Sequence, residues 1–290
     1  MGPDDIISSL RIGARMGRVL AERIPLHCIC GVREKERHGR TVLFADIAVD
    51  YDIIQCLADD KIENAVDYSA LASTAMAFTE RTQFYLLEKL ADSLVSHLLA
   101  SFPRALSLGL RLQKNPAGWG NTSFSCSLSG RRSLAILGLG SNLGDRGRAL
   151  EEATERLAAI RHCRLLRSSS LHRTAPLLRT DQPEFFNEAL LIETLLSPME
   201  LLAEMQSIER AMGRLRGERY GPRPIDIDLL LFEGFVSSSA ALTVPHPGLR
   251  LRRFWIEELA DLGLILPPAS GAILRQRCEQ IRKCKNFTKE

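Results

Sequence analysis

The sequence lacks the features that mark three common classes of protein. Its 290 residues contain no apolar stretch long enough to cross a bilayer, and the N-terminus, with Asp4 and Asp5, has no basic region followed by an apolar one. The seven cysteines are scattered and include no CxxC pair, which argues against a zinc site or a disulfide framework. A net charge of +3 is too small to indicate nucleic-acid binding by itself. We therefore expect a cytoplasmic protein with free thiols.

What is present is typical of two globular domains. The apolar content of 45% and charged content of 25% are ordinary for a folded protein, and the length suffices for two cores. Residues 115–133 are rich in Gly, Asn, Ser and Arg and separate two different patterns. A strand over 122–128 closes the first pattern, which leaves 129–133 as the linker. We predict domains at 1–130 and 131–290.

Hydrophobic periodicity predicts an α+β fold for both domains. In the first, alternation indicates strands over 41–51 and 105–112, and three-to-four spacing indicates helices over 69–79 and 84–102. That order predicts a sheet with two helices on one face. The second domain has predicted strands over 134–139, 168–173, 188–194 and 225–232, with helices over 145–161 and 198–210.

A glycine-rich turn follows the first strand of the second domain. Gly138, Gly140 and Gly144 miss the dinucleotide-binding spacing by one residue, and no Gly-Lys-Ser/Thr follows. A structural turn is the favoured interpretation, so nucleotide binding must rest on other residues.

Residues 218–228 combine two arginines, a tight turn and two carboxylates ahead of an apolar run. Alternation along a strand puts Asp226 and Asp228 on one face. At about 6 Å, two such charges repel by roughly 3 kcal/mol at an effective dielectric near 20. Mg²⁺ removes this repulsion and takes one or two carboxylates plus phosphate oxygens. The alternative is a surface salt-bridge cluster, in which Arg219 and Arg223 simply neutralise the acids.

Further cations nearby favour an anionic ligand over that alternative. Arg210, Arg214 and Arg216 precede the segment and His246 follows it. Guanidinium groups match the geometry of phosphate oxygens. We therefore predict a site for a metal ion and a polyphosphate.

From about residue 134 the chain resembles the 6-hydroxymethyl-7,8-dihydropterin pyrophosphokinases. Four ordered motifs carry the resemblance: GLGSNLGD at 138–145, TAPL at 174–177 with DQPEFFN at 181–187, RYGPRPIDID at 219–228, and VPHP at 244–247. It implies a ferredoxin-like α+β domain that uses ATP. Two Mg²⁺ ions would be held by Asp226 and Asp228, and Arg214 and Arg223 would be the catalytic arginines.

The same resemblance implies the remaining ligand contacts. The nucleotide would be held by Glu209, Arg216, Thr243, His246 and Arg252. The pterin would be held by Thr174, Ala175, Leu177, Phe185, Asn187 and Phe254. The chain departs from the family pattern at Tyr220, where some members have tryptophan, and in a loop between Arg216 and Arg219 that is one residue short.

Four short motifs occur in order in the first half of the chain: CGVREKER at 30–37, DYSAL at 67–71, FYLLEKLA at 84–91 and QKNP at 113–116. With these motifs, residues 4 to about 128 resemble dihydroneopterin aldolases. The resemblance implies a tunnelling-type fold, no cofactor, and a homo-oligomer, tetramer or octamer, with sites between subunits. Glu88 and Leu87 would bind the pterin, Lys114 and Tyr68 would move protons, and Glu36 would reach the substrate's side chain.

Together the two resemblances predict consecutive steps of folate biosynthesis, because the product of the aldolase is the substrate of the pyrophosphokinase. Dihydroneopterin would be cleaved to 6-hydroxymethyldihydropterin and glycolaldehyde, and ATP would then pyrophosphorylate the hydroxymethyl group with release of AMP. Three alternatives stay open: an epimerase, a non-catalytic oligomerisation module in the first half, and nucleic-acid binding by the arginine-rich half. Neither a nucleic-acid nor a membrane partner is expected.

Overall fold

The computed structural model describes residues 14–115, 122–176, 181–214 and 221–264, apart from the side chain of residue 250. The chain divides after Arg132 into two compact units, called here the N-terminal and C-terminal units. This division falls within the predicted linker over 129–133, but those residues do not form a loop, because strands continue to residue 131 and resume at 133. Gly130 lets β5 pass close to Val95. A Cβ at residue 130 would lie 2.6 Å from Cγ1 of Val95, which is closer than such contacts normally are.

The N-terminal unit is a five-stranded sheet with its main helices on one face, as predicted. Its strands are β1 (Met16–Cys30), β2 (Thr41–Asp52), β3 (Gln83–Phe84), β4 (Ala105–Lys114) and β5 (Phe124–Arg131), in the order β3-β1-β2-β4-β5. All pairs are antiparallel except the short β1–β3 pair. Its helices are α1 (Glu34–Arg37), α2 (Ile54–Asp59), α3 (Tyr68–Glu80) and α4 (Leu87–Ser101), with a 3₁₀ turn at Ile62–Asn64.

The core of this unit follows the alternation in β2. Leu43, Ala45, Ile47 and Val49 are fully buried, whereas the residues between them are half-buried. The helices α3 and α4 pack on this sheet, and α4 buries leucines at helical spacing. The helix predicted over 84–102 begins three residues later in the structure, at Leu87, because residues 83 and 84 pair with β1.

The C-terminal unit has the predicted ferredoxin-like order. Its strands are β6 (Ser133–Ser141), β7 (Cys163–Ser168), β8 (His172–Thr174), β9 (Phe185–Thr194) and β10 (Asp226–Phe232), followed by a hairpin of β11 (Ser237–Ser238) and β12 (Thr243–Val244). The antiparallel sheet runs β10-β6-β9-β7, and β8 also pairs with β9. Its helices are α5 (Arg146–Ala158), α6 (Pro198–Ala211) and α7 (Arg253–Asp261), with a 3₁₀ turn at Pro247–Arg250.

Alternate residues of β6 belong to two different apolar clusters. Ala135, Leu137 and Leu139 join the cluster that includes α5 and α6, whereas Leu134 and Ile136 join the one that includes α7. The predicted strand over 168–173 is wrong, because β7 ends at residue 168 and β8 begins at 172. At Ser169 one of the two expected backbone bonds is replaced. Its N–H donates to the carbonyl of Ala189 at 2.9 Å, but its hydroxyl, rather than its carbonyl, accepts the N–H of Ala189 at 2.9 Å.

Candidate functional site

The β10 strand presents the two aspartates at its start. Ile225 and Ile227 are 0% and 5% exposed and belong to the core, whereas Asp226 and Asp228 point to the other face and are half-buried. The predicted alternation is therefore present. One pocket is lined by both aspartates together with Gly138, Leu139, Gly140, Phe185, Asn187, Arg223, Arg252 and Trp255.

Asp226 bridges two of the predicted arginines. Its Oδ1 lies 2.6 Å from Nη1 of Arg214, and its Oδ2 lies 2.9 Å from Nη2 of Arg223. The salt-bridge cluster considered above thus forms in part, with Arg214 and Arg223 as its cations. The same geometry holds both guanidinium groups at the edge of the pocket, where a more highly charged anion could take them over.

Glu209 bonds to the backbone of β10 and to Arg214. It is 8% exposed, accepts the N–H of Ile227 at 2.7 Å, and pairs with Arg214. Burial raises the pKa of its carboxyl, and the Ile227 N–H and Arg214 oppose that shift. Because Ile227 lies between the aspartates, Glu209 fixes the backbone that carries them. Its predicted contact with ATP stays a prediction.

Asp228 faces a different pair of groups. Nη1 of Arg252 lies 3.6 Å and Nε2 of His246 3.8 Å from its oxygens. Burial, and then the charge of Asp226, raise the pKa of Asp228 to about 7. Burial lowers the pKa of His246. Since Nδ1 of His246 accepts the N–H of Gly248 at 3.0 Å, the neutral ring carries its proton on Nε2, toward Asp228.

The residues predicted to bind the pterin lie beside this pocket. Asn187 donates to Oγ1 of Thr174 at 2.8 Å, and its Oδ1 would lie 3.2 Å from a Cβ at Gly140. Phe185 lines the pocket, and Phe254 lies next to Trp255, with ring centroids 5.6 Å apart.

Four other predicted residues lie at the margin of the pocket or outside the described residues. Ala175 follows β8 and is exposed, and Thr243 donates to the carbonyl of Ser239 at 3.2 Å. Leu177 and Arg216 lie outside the described residues.

Asn142 is a site residue that sequence reasoning missed. It is 1% exposed; its Oδ1 accepts the N–H of Arg223 at 2.9 Å, and its Nδ2 donates to Oε1 of Gln182 at 3.0 Å. One side chain thus joins the glycine-rich turn to the loops before β9 and β10. The Gly-Ser-Asn sequence after a buried strand was the available signal, but it does not indicate which distant loops Asn142 meets.

The two carboxylates fit a hard cation that completes its shell with ligand oxygens. Among the described residues, no group of three or more His, Cys, Asp or Glu side chains could hold a metal ion. Asp226 and Asp228 supply two oxygen ligands, and a cation would offset both the burial and the repulsion from Asp226 that raise the pKa of Asp228. An ion held here requires further oxygens from a substrate.

The N-terminal unit has a second charged site at the end of β4. Nζ of Lys114 donates to the carbonyl of Cys30 at 2.6 Å and to Oε1 of Glu36 at 2.7 Å. Lys114 lowers the pKa of Glu36, and the N–H of Arg33 adds to the effect. Burial raises the pKa of Cys30. The charges of Lys114, Glu36, Glu88 and Arg37 make smaller contributions.

The other predicted residues of this site are more exposed. Glu88 is exposed in the first turn of α4, and Leu87 beside it is half-buried. Tyr68, the first residue of α3, is 61% exposed. The structure therefore joins Lys114 to Glu36 directly but leaves Tyr68 at the surface.

Comparison with known proteins gives a family match for each unit. The model of dihydroneopterin aldolase matches residues 19–127, and that of 7,8-dihydro-6-hydroxymethylpterin-pyrophosphokinase matches residues 136–263. A pyrophosphokinase of Methylorubrum extorquens is 46% identical over 44% of this chain and 81% of its own length. The folic acid synthesis protein fol1 of Pneumocystis carinii is 27% identical over 90% of this chain.

The chain spans 24% to 37% of the length of three folate synthesis relatives that it matches. The one from Pisum sativum is described as mitochondrial. A crystal structure of E. coli dihydroneopterin aldolase in complex with neopterin is 22% identical, covers 39% of this chain and 97% of its own, and has a TM-score of 0.37. Among the described residues, no helix is long and apolar enough to cross a membrane.

Proposed function

The chain belongs to the 6-hydroxymethyldihydropterin pyrophosphokinase family and carries a dihydroneopterin aldolase domain ahead of it, and we propose that it catalyses both reactions. The observation that carries the proposal is one pocket that brings Asp226, Asp228 and Arg223 together beside Phe185 and Asn187. Arg214 joins this group through its ion pair with Asp226. The domains proposed for the two activities are 1–130 and 131–290.

In the transferase, the pterin's hydroxymethyl oxygen attacks the β-phosphorus of ATP, the bond to the α-phosphate breaks, and AMP leaves. Arg214 and Arg223 give up their ion pairs with Asp226 and bind phosphate oxygens instead. They then neutralise the charge that develops on those oxygens. Asn187, oriented by Thr174, offers Oδ1 to an N–H on the pterin's edge. Two Mg²⁺ ions at Asp226 and Asp228 would supply charge neutralisation and alignment of the phosphates.

In the aldolase, the bond between the first two side-chain carbons breaks, and the dihydropterin's own C=N bond accepts the electrons. Neither a Schiff base nor a metal is then required. Glu88 accepts two N–H bonds from the amino-pyrimidine edge beside Leu87. Lys114 and Tyr68 transfer the protons, and Glu36, already bonded to Lys114, contacts the substrate's side chain. The exposure of Tyr68 supports a site completed by another subunit of a tetramer or octamer.

The decisive assay supplies purified protein with dihydroneopterin, ATP and Mg²⁺ and measures glycolaldehyde and AMP separately. Asp226→Asn is expected to lower AMP formation by about 10³-fold and to leave glycolaldehyde unchanged. Glu204→Gln, an exposed carboxylate on α6, serves as the matched control and should change neither. If the monapterin epimer appeared without glycolaldehyde, the N-terminal domain would be an epimerase and not an aldolase. A cytoplasmic location is part of the proposal, and cell fractionation tests it.

A further inference from the structure

Trp255 belongs to the core and to the pocket at once. It lies in the first turn of α7, is 2% exposed, and packs in the apolar cluster with Leu230 and Leu259. Its indole also lines the pocket that contains Asp226 and Asp228. Neither the motifs of the sequence nor the proposed chemistry gives it a role.

Both groups that face Asp228, the guanidinium of Arg252 and the ring of His246, contact the indole of Trp255. The guanidinium carbon of Arg252 lies 4.2 Å from the indole centroid, within the range of a cation–π contact. The His246 ring meets the indole edge to face, with centroids 4.9 Å apart and planes at 86°. We propose that Trp255 is a positioning residue that fixes Arg252 and His246 against Asp228 and thereby sets the affinity of the pocket for a nucleoside triphosphate. This inference rests on the proposed transferase function.

Two glycines on different elements make room for the indole. A Cβ at Gly138, on β6, would lie 3.0 Å from Nε1 of Trp255, and one at Gly248 would lie 2.9 Å from Cζ3. Real Cβ atoms are rarely that close to a rigid ring, so each glycine and the tryptophan depend on one another. Gly248 also donates its N–H to His246, which ties the indole, the turn and the imidazole into one assembly.

The test uses the full chain and measures two quantities. Calorimetric titration with α,β-methylene-ATP and Mg²⁺ gives Kd, because this analogue lacks the bond that the transfer breaks. Steady-state AMP formation gives KM and kcat. Trp255→Leu is expected to raise Kd and KM about tenfold while changing kcat less than threefold. Trp255→Phe keeps an aromatic face and is expected to raise Kd about threefold.

A matched control separates positioning from general loss of packing. Leu259→Val alters a residue of the same helix and cluster that is 1% exposed and does not line the pocket, so Kd should stay constant even if the melting temperature falls. Arg252→Lys keeps the charge but loses the planar stack. If Trp255 acts through Arg252, this substitution weakens binding less in the Trp255→Leu background than in the wild type.

The outcomes distinguish the inference from the proposed function. A wild-type protein that forms no AMP would overturn the transferase function. A wild type that forms AMP, with Kd unaltered by Trp255→Leu or by Trp255→Phe, would overturn only the role of Trp255. Equal effects of Leu259→Val and Trp255→Leu on Kd would also overturn it, because packing alone would then explain the change.

Discussion

The two units differ in where they keep their polar groups. Among the described residues, Thr79 is the one buried polar side chain of the N-terminal unit, whereas the other ten belong to the C-terminal unit. Four of those ten are glutamates: Glu193, Glu209, Glu233 and Glu258. The N-terminal unit thus has an apolar core and keeps its site near the surface, while the C-terminal unit builds part of its site into its interior.

This difference indicates two ways of organising a site. Glu209 and Asn142 hold the strand and loops of the C-terminal site by buried hydrogen bonds, which fixes the geometry within one chain. In the N-terminal unit, Lys114 and Glu36 form a pair that is 12% and 24% exposed, and Tyr68 lies open to solvent. We expect the first site to work in a single chain and the second to need a further surface.

The largest effect is expected at Lys114. Lys114→Ala removes the proposed proton carrier, and we expect glycolaldehyde formation to fall by about 10³-fold while AMP formation from added 6-hydroxymethyldihydropterin stays constant. Lys35→Ala, an exposed lysine on α1, is the control. An unchanged aldolase rate in Lys114→Ala would mean that Lys114 is not the proton carrier, whereas absence of glycolaldehyde formation in the wild type would favour a non-catalytic oligomerisation module.

A second prediction uses a buried carboxyl group of the C-terminal unit. Glu258 is 0% exposed, and neither of its oxygens has a hydrogen-bond partner among the described residues. Burial, and then Glu188, Asp261 and Glu257, raise its pKa from 4.5 to about 8. The folded state therefore holds this proton more tightly than the unfolded state does. Its contribution to stability is fully present below pH 4.5 and is lost as pH rises toward 8.

Glu258→Gln should abolish this loss. We expect the wild type to lose up to about 1.4 kcal/mol of unfolding free energy per pH unit between pH 5 and 8, and the variant to lose much less. Urea unfolding in a Trp119→Phe background, followed by the fluorescence of Trp255, measures the C-terminal unit. Glu204→Gln, an exposed carboxylate on α6 that does not contribute to this shift, is the control. Parallel pH profiles for wild type and Glu258→Gln would contradict the assignment.

How much of each unit could be predicted depended on the range of its contacts. Alternation of buried and exposed positions is a local property of the sequence, so it predicted β2 and the common face of Asp226 and Asp228. The strand over 168–173 was wrong because the hydroxyl of Ser169 takes the place of its carbonyl in accepting the N–H of Ala189, a long-range contact that alternation does not reveal. Trp255 was missed for a similar reason: its neighbours Gly138 and His246 are distant in sequence, and no spacing rule relates them.

A third prediction tests whether the aldolase site needs a second chain. On dilution, glycolaldehyde formation per chain should fall at least about tenfold where subunits dissociate, whereas AMP formation from added 6-hydroxymethyldihydropterin should not, because mass action affects only the shared site. Sedimentation at the same concentrations gives the state of assembly. If the monomer retained full aldolase activity, the exposed Tyr68 would have to act within its own chain.

The smallest expected effect comes from a glycine that supports Glu36. Gly31 has φ +153°, which L side chains rarely adopt, and a Cβ there would lie 2.4 Å from Oε2 of Glu36. Gly31→Ala should therefore displace Glu36 from Lys114 and lower aldolase kcat/KM about fivefold to tenfold, with AMP formation unaffected. Gly39→Ala is a matched control, because no atom lies within 4 Å of its added methyl group. Equal rates for the two variants would mean that the Glu36–Lys114 pair does not set the aldolase rate. A drop in Gly31→Ala alone would show that this surface site, like the buried one, depends on a fixed carboxylate.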